Sequence, residues 1–298
     1  DRSVSRGLGD VYKRQILCRC IKEQVFIYIL FIKEGIIMGH GFDLFSLKNT
    51  ESNGYNNFSS QTIFNYLSQK KILALTFFLL HVVGYQIIGI IIARIIMQFN
   101  TDTSYINAVS TFISESIIVL IYLGFVLFIP ELRQGFFKNR MANIGYALAI
   151  CFICFIIYLF GSNLLSTISS LILPNQGNDN QQLVVELVQK YPAMMIITTA
   201  LLAPIAEEFS YRFGLVSLFG EKRKVLGIIV SGLVFGLIHF NFFFKSMDEF
   251  LVEIVNLPSY IFAGLVFAYL YSRTENGIPS IAIHFINNLM ATLIILLM

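Results

Sequence analysis

Residues 201–212 read LLAPIAEEFSYR and lie within an apolar segment, 193–219. A segment of this length can cross a bilayer, which takes roughly 20 residues. Glu207, Glu208 and Arg212 lie near the middle of this segment. A charged side chain at the bilayer centre costs at least ~2.5 kcal/mol, so these three side chains must face a protein interior or a water-filled cavity. Glu208 and Arg212 are four residues apart and can pair on one helix face. Glu207 is rotated from Glu208 by about 100°, so we expect its partner elsewhere in the chain.

The composition predicts an all-α, polytopic helical membrane bundle. Hydrophobic residues make up 56% of the chain and charged residues 13%, against about 25% charged in soluble domains. The mean hydropathy is +0.72. The formal net charge of +3 arises before Met38, where seven basic residues face four acidic ones. From Met38 onward the chain is neutral, so the charge gives no reason to expect a nucleic-acid partner.

Three regions are expected along the chain. We interpret residues 1–37 as a non-native leader, because the first fifteen have no Met, no apolar periodicity and no cleavage-site pattern. A disordered native tail is the alternative. The stretch KEGIIM before and including Met38 reads like a translated ribosome-binding site, which indicates a bacterial source and a start at Met38. Residues 38–71 are predicted to form a loose polar arm, and residues 72–298 a single transmembrane domain.

About seven transmembrane helices are expected within that domain. The predicted spans are Ile72–Met97, Ala108–Ile129, Met141–Phe160, Ala193–Phe219, Val225–Phe240, Leu257–Ser272 and Ile278–Leu297. Residues 164–192 are predicted to form a polar loop with interfacial helices, of which 183–190 is amphipathic. Nine Lys and Arg residues fall on inner loops and three on outer segments when the N-terminus is cytoplasmic, and that bias favours this orientation.

Two histidines in the C-terminal spans are the expected partners of Glu207. His239 ends the fifth span after Phe235, and His284 lies four residues before Asn288 in the seventh. At ~1.5 Å per residue all four polar groups can share a cavity in the middle-to-inner part of the bundle. A carboxylate and a neutral imidazole on one water can act as general base and then general acid. A second imidazole and an amide can stabilise an oxyanion, which predicts hydrolysis of an acyl bond, most simply a peptide.

Each of these groups also has a structural interpretation when it is taken alone. Glu208 and Arg212 can be a pair that braces the helix. His81, alone in the first span, is typical of a histidine hydrogen-bonded within the bundle. Asn287 or Asn288 can join two helices by hydrogen bonds. The three clusters appearing in order on successive C-terminal spans favours the catalytic interpretation.

Three motifs carry a resemblance to a known family. The patterns are Glu-Glu-x-x-x-Arg, Phe-x-x-x-His and His-x-x-x-Asn, each on its own membrane helix. Their residues here are Glu207, Glu208, Arg212, Phe235, His239, His284 and Asn288. Over residues 193–298 the chain resembles the CAAX prenyl protease and bacteriocin-processing (CPBP) family, also called the Abi family.

The resemblance implies an intramembrane endopeptidase. It implies that Glu207 and His239 activate the water and that His284 and Asn288 form the oxyanion site. Glu208 and Arg212 would support these four residues.

The metal content stays open between two mechanisms. The family is often called a metalloprotease, and zinc would be held by Glu207, His239 and His284. The chain has no His-Glu-x-x-His spacing at these positions, and no carboxylate behind His284 is obvious. We therefore favour a metal-free glutamate–histidine mechanism, and keep zinc as the alternative.

The expected partners are a peptide or membrane-protein substrate and the lipid bilayer of a bacterial cell membrane. Bacterial relatives of the CPBP family are linked to bacteriocin self-immunity and peptide processing, which the resemblance implies for this chain. Two other classes remain, a non-catalytic immunity or binding protein and a small transporter. Intramembrane ionisable groups also mark ion paths, but matching halves with paired broken helices, which indicate transport, are absent from the sequence.

Overall fold

A computed structural model describes residues 62–137, 144–174 and 177–297, and these contain helices and no strand. The helices are α1 Ile63–Gln69, α2 Lys71–Ile96, α3 Thr103–Phe128, α4 Pro130–Phe137, α5 Ile144–Ile172, α6 Asp179–Lys190, α7 Pro192–Phe219, α8 Lys224–Ile238, α9 Met247–Thr274 and α10 Gly277–Leu297. Six of them, α2, α3, α5, α7, α9 and α10, are long and apolar enough to cross a membrane. The predicted polytopic helical bundle is confirmed, and the protein is a multi-pass membrane protein.

The described residues contain six such helices, whereas seven spans were expected. The difference is at α8, which corresponds to the predicted span Val225–Phe240. It has 15 residues, fewer than the roughly 20 that a crossing takes. The predicted span Leu257–Ser272 is instead the C-terminal part of the 28-residue α9. Pro258 lies inside that helix, where the sequence suggested a beginning.

The segment between the third and fourth spans is more helical than expected. α5 continues to Ile172, so the prediction of a polar loop is wrong for residues 164–172, which are helical. The amphipathic helix predicted at 183–190 is present as the longer α6. It begins earlier because the Asn178 side chain caps it, accepting a hydrogen bond from the backbone N–H of Gln181 at 3.1 Å.

The predicted leader and most of the predicted arm lie outside the described residues. The end of the arm does not match the prediction of a loose segment. Residues 63–69 form α1, capped by Thr62, and Ile63, Phe64 and Leu67 are buried in the same core as α7. This apolar face is short, and polar residues interrupt it in the sequence IFNYLSQ, so the sequence analysis did not predict a helix here.

Helix α7 lies at the centre of the bundle and packs closely on α2. A methyl group at Gly214 would come within 2.7 Å of the backbone nitrogen of Phe78, so this crossing requires glycine. Helices α8 and α9 approach each other in the same way, since a methyl group at Gly264 would lie 2.9 Å from the Cα of Gly232. Small residues allow such close helix contacts in membranes.

The beginnings of α3 and α7 lie at one end of the bundle, together with the end of α6. The Tyr191 hydroxyl donates to Asp102 at 3.1 Å, just before both helices. Ser104 donates to Glu186, and this bond holds the pKa of the Glu186 carboxyl below its usual range. Lys190 lies 2.9 Å from the same carboxylate. These contacts place the two helix beginnings at a similar depth.

Candidate active site

The four residues expected to do the chemistry line one cavity of about 770 Å³. These residues are Glu207, His239, His284 and Asn288. The cavity is also lined by residues of α5 and α6, among them Ser162 and Leu187. It therefore extends toward α6, beyond the middle-to-inner region in which the sequence placed it.

Two wide turns in α7 flank the segment that carries Glu207. Residues Ile197–Leu202 and Glu208–Val216 are π-helical, and Ala203–Glu207 between them is α-helical. Pro204, the second residue of the middle segment, has no N–H for the preceding turn. Such π-helical insertions are frequent at functional sites. Here Glu207 faces the cavity with a side chain 13% exposed, while Glu208 is fully buried.

A chain of four charged or titratable groups leads from the protein interior to the cavity. Arg212 Nε lies 3.1 Å from Glu208 Oε2, as the four-residue spacing predicted. Glu208 Oε1 lies 3.0 Å from His284 Nδ1. The other ring nitrogen, Nε2, lies 3.5 Å from Glu207 Oε2. One imidazole is thus held between two adjacent carboxylates.

This contact corrects the sequence analysis on one point. No carboxylate was expected behind His284, and the structure places Glu208 there. Glu208 therefore does more than pair with Arg212. It orients the His284 ring toward Glu207.

Aromatic rings surround the buried guanidinium of Arg212. Its Cζ atom lies 4.8 Å from the ring centre of Phe235 and 5.4 Å from that of Phe267. Rings at this distance attract a cation. Phe267 also stacks on the His284 ring at 4.7 Å. The Phe of the Phe-x-x-x-His motif thus packs between the arginine and the histidines.

The imidazole of His239 is held in one tautomer. Its Nδ1 lies 2.8 Å from the backbone carbonyl of Phe235. A carbonyl oxygen can only accept, so Nδ1 carries the hydrogen and Nε2 has a lone pair. The ring stacks on Tyr260, with centres 4.5 Å apart and planes at 14°. His239 is therefore oriented, and in its neutral form Nε2 is the basic nitrogen.

Sequence reasoning missed the residues that hold His239 from behind. The Asn178 side-chain amide donates to the His239 carbonyl at 3.2 Å, and the Tyr260 hydroxyl donates to Asn178 Oδ1 at 3.2 Å. Buried Glu253 accepts two backbone N–H bonds in the same region. These residues carry no motif, and the one available signal was the presence of polar side chains next to apolar spans.

Asn288 lines the cavity, and one of its two amide hydrogens is donated within the protein. Its Nδ2 donates to the carbonyl of Thr199 at 2.9 Å, and its Oδ1 accepts from Asn287 at 3.0 Å. Thr199 lies in the first wide turn of α7. A side-chain amide has two hydrogens, so the second can be donated to a ligand.

A catalytic zinc site takes three protein ligands and a water. His284 and Glu207 are close enough to share a metal, and a carboxylate behind His284 is an arrangement that zinc-binding histidines use. The metal content stays a prediction. Within residues 62–137, 144–174 and 177–297, no three His, Cys, Asp or Glu side chains form a group that could hold a metal ion.

Comparisons with known proteins show similarity over the region that contains this site. Residues 189–290 match the model of a family described as "Type II CAAX prenyl endopeptidase Rce1-like". The resemblance to the CPBP family is confirmed. The matched region contains all seven motif residues.

Two relatives were found among curated proteins. The chain is 26% identical over 228 residues to "Putative membrane peptidase YdiL" of Bacillus subtilis (strain 168), covering 67% of this chain and 84% of that protein. It is 29% identical over 156 residues to an "Uncharacterized protein" of Mycoplasma capricolum, covering 50% of this chain and 42% of that protein. No solved structure matches the chain. The family match and the Bacillus subtilis relative support an intramembrane protease of the CPBP type in general terms.

Proposed function

We propose that the protein is an intramembrane endopeptidase in which Glu207 and His239 activate a water molecule for attack on a peptide bond. The observation that carries this proposal is one cavity whose lining includes a carboxylate, an oriented ring nitrogen and an amide donor. The family match and the name of the Bacillus subtilis relative support a peptidase.

In the first step a proton leaves the water for Glu207 or His239 Nε2, and the hydroxide adds to the carbonyl carbon. The carbonyl oxygen then carries a negative charge. In the second step the same base returns the proton to the leaving amine, and the C–N bond breaks. Every proton taken in the first step is thus returned in the second.

His284 and Asn288 are assigned to the oxyanion. A protonated imidazole donates from both nitrogens, so His284 Nδ1 can stay on Glu208 while Nε2–H reaches the oxyanion. The free hydrogen of the Asn288 amide is a second donor. One such donor contributes ~2.7–4 kcal/mol to the barrier in known enzymes.

Glu208 and Arg212 support the site without contacting the substrate. Arg212 neutralises Glu208, and Glu208 fixes the His284 ring. No step is assigned to a metal or cofactor.

We further propose a bacterial cell membrane and a cytoplasmic N-terminus. In that orientation α6 lies on the outer side of the membrane, because it connects an outward span to an inward one. The cavity extends toward α6, which suits a peptide or membrane protein that arrives from outside. A secreted peptide such as a bacteriocin, cleaved for self-protection, is a substrate of this kind.

Cleavage of fluorogenic membrane peptides by the purified chain in nanodiscs tests the proposal. Glu207→Ala and His239→Ala are each expected to lower kcat by 10²–10⁴-fold, the usual contribution of general acid–base catalysis. Glu131→Gln, which alters an exposed carboxylate on α4, is the control and should cleave normally. A chelator should leave the rate unchanged.

Other outcomes would overturn parts of the proposal. Normal cleavage by Glu207→Ala contradicts the mechanism, and loss of activity with chelator restores the zinc alternative. If Glu207→Ala still protects cells from a bacteriocin as well as the wild type does, the protein is a non-catalytic immunity protein.

A further inference from the structure

The charges that line the cavity have one sign. Two carboxylates, those of Glu115 and Glu207, are among its lining residues, and no lysine or arginine is found among the described lining residues. Arg212, which pairs with Glu208 behind His284, is fully buried and is not among the lining residues. A substrate that enters this cavity therefore meets an environment that favours positive charge.

Glu115 has no part in the mechanism above. It lies on α3, one of the spans in which the sequence shows no motif, and is 4% exposed. Its Oε1 lies 3.5 Å from His81 Nε2. In the described part of the chain its Oε2 is buried and has no hydrogen-bond partner. A buried carboxylate oxygen without a donor is costly, and a ligand that supplies one removes this cost.

The surroundings of Glu115 suit an organic cation. Tyr85 stacks on His81 with ring centres 5.4 Å apart, and Tyr85 and Thr111 line the cavity beside Glu115. Hydroxyl oxygens can accept hydrogen bonds from an ammonium or guanidinium group, and aromatic rings attract cations.

The depth of Glu115 places it close to Glu207. Asp102 and Tyr191 tie the beginnings of α3 and α7 together. Glu115 follows the start of α3 by about 18 Å, and Glu207 follows the start of α7 by about 22 Å, at 1.5 Å per residue. Neighbouring helix axes are 8–10 Å apart, so the carboxylates are separated by roughly 10 Å, or about three residues of an extended peptide.

We propose that Glu115 is an acidic subsite that binds a cationic group of the substrate within about three residues of the scissile bond. The group is a lysine or arginine side chain, or the ammonium of a peptide N-terminus. This inference rests on the proposed function, since it names the class of substrate that the same cavity takes.

The test uses membrane peptides that differ at one position, within three residues of the cleaved bond. Lysine is compared with norleucine, which has the same length without the charge, and with glutamate. Each peptide is made with a free and with an acetylated N-terminus, which separates the two sources of the cation. We expect the wild-type chain in nanodiscs to cleave the preferred cationic peptide at least about tenfold faster, in kcat/KM, than its neutral counterpart, a ratio worth about 1.4 kcal/mol.

Glu115→Gln removes the charge and keeps the shape. It should reduce that ratio to about one while kcat/KM for the neutral peptide stays within about threefold of wild type, because the lost term is one attraction between charges. Glu131→Gln is the matched control and should keep the wild-type ratio. If Glu115 and His81 are only a structural pair, Glu115→Gln lowers cleavage of all peptides equally, and an unchanged ratio overturns the subsite.

A binding measurement separates failure of the subsite from failure of the proposed function. The Glu207→Gln variant is titrated with the same uncleaved peptides, with and without Glu115→Gln. Charge-dependent binding that requires Glu115, without cleavage by the wild type, keeps the subsite and overturns the protease. Cleavage without any preference for charge keeps the protease and overturns the subsite.

Discussion

Two buried histidine–glutamate contacts in the described part of the chain differ in what surrounds them. His284 lies 3.0 Å from Glu208, whose second oxygen pairs with Arg212. His81 lies 3.5 Å from Glu115, and in the described residues its Nδ1 and the second Glu115 oxygen have no partner. Glu208 Oε2 and the Arg212 nitrogens also have no regular hydrogen bond among the described residues, but their opposite charges compensate each other. The first contact is thus neutralised by a fixed cation, as a support should be. The second leaves an acceptor open beside a cavity, as a binding site should.

The largest effect is expected when the neutralised contact is broken. Arg212→Met leaves the carboxylate of Glu208 buried without its counter-charge, and removing one partner of a buried pair costs about 3–5 kcal/mol. Unfolding of the purified chain in micelles, by heat or by titration with a denaturing detergent, measures this loss. The double variant with Glu208→Gln should recover part of the stability, because the uncompensated charge is then gone.

An exposed pair with the same spacing provides the control. Lys190 and Glu186 are also four residues apart, but their side chains are 49% and 48% exposed. Exposed pairs contribute about 0–1 kcal/mol, so Lys190→Met should change stability little. Equal losses from Lys190→Met and Arg212→Met would show that burial does not distinguish the two pairs.

A third histidine shows what happens when a ring is positioned without a carboxylate. His239 is held by a backbone carbonyl and by stacking on Tyr260. Tyr260→Phe keeps the ring but removes the hydrogen bond to Asn178, a bond of about 1 kcal/mol, so kcat should fall by up to about fivefold. Tyr260→Ala also removes the stacking, another ~0.5–1.5 kcal/mol, and kcat should fall by at least about tenfold.

Steady-state kinetics distinguish this role from substrate binding. A residue that positions His239 changes kcat and leaves KM within about twofold, since uniform binding is unaffected. A rise in KM with an unchanged kcat would mean that Tyr260, which lines the cavity, contacts the substrate instead.

The sequence predicted those parts of the site that depend on local spacing. Glu208 and Arg212 pair because a helix places residues four apart on one face, and the apolar periods predicted the bundle. The contact between Glu208 and His284 joins helices that are distant in sequence, so no spacing contains it. The same is true of Asn178 and His239, which meet because α6 packs beside the end of α8.

The role of Glu115 also could not be predicted from the sequence. A lone carboxylate in an apolar span indicates a functional or paired group, but the sequence does not say which partner it has or lacks. Its open oxygen and its place beside the cavity follow from how α2 and α3 pack against α7. A span without a motif can therefore still contribute to recognition.

The smallest effect is expected when the open contact is broken. Glu115→Gln removes a charge that is held at 3.5 Å by one imidazole, and no other counter-charge is among its described partners. The glutamine amide keeps a hydrogen-bonding oxygen beside His81, and beside a neutral imidazole it leaves no charge buried without a partner, so stability should change by less than about 1 kcal/mol. The same unfolding measurement checks this, with Arg212→Met as the reference. A loss as large as that of Arg212→Met would mean that His81 and Glu115 form a structural pair, and the contrast between the two contacts would disappear.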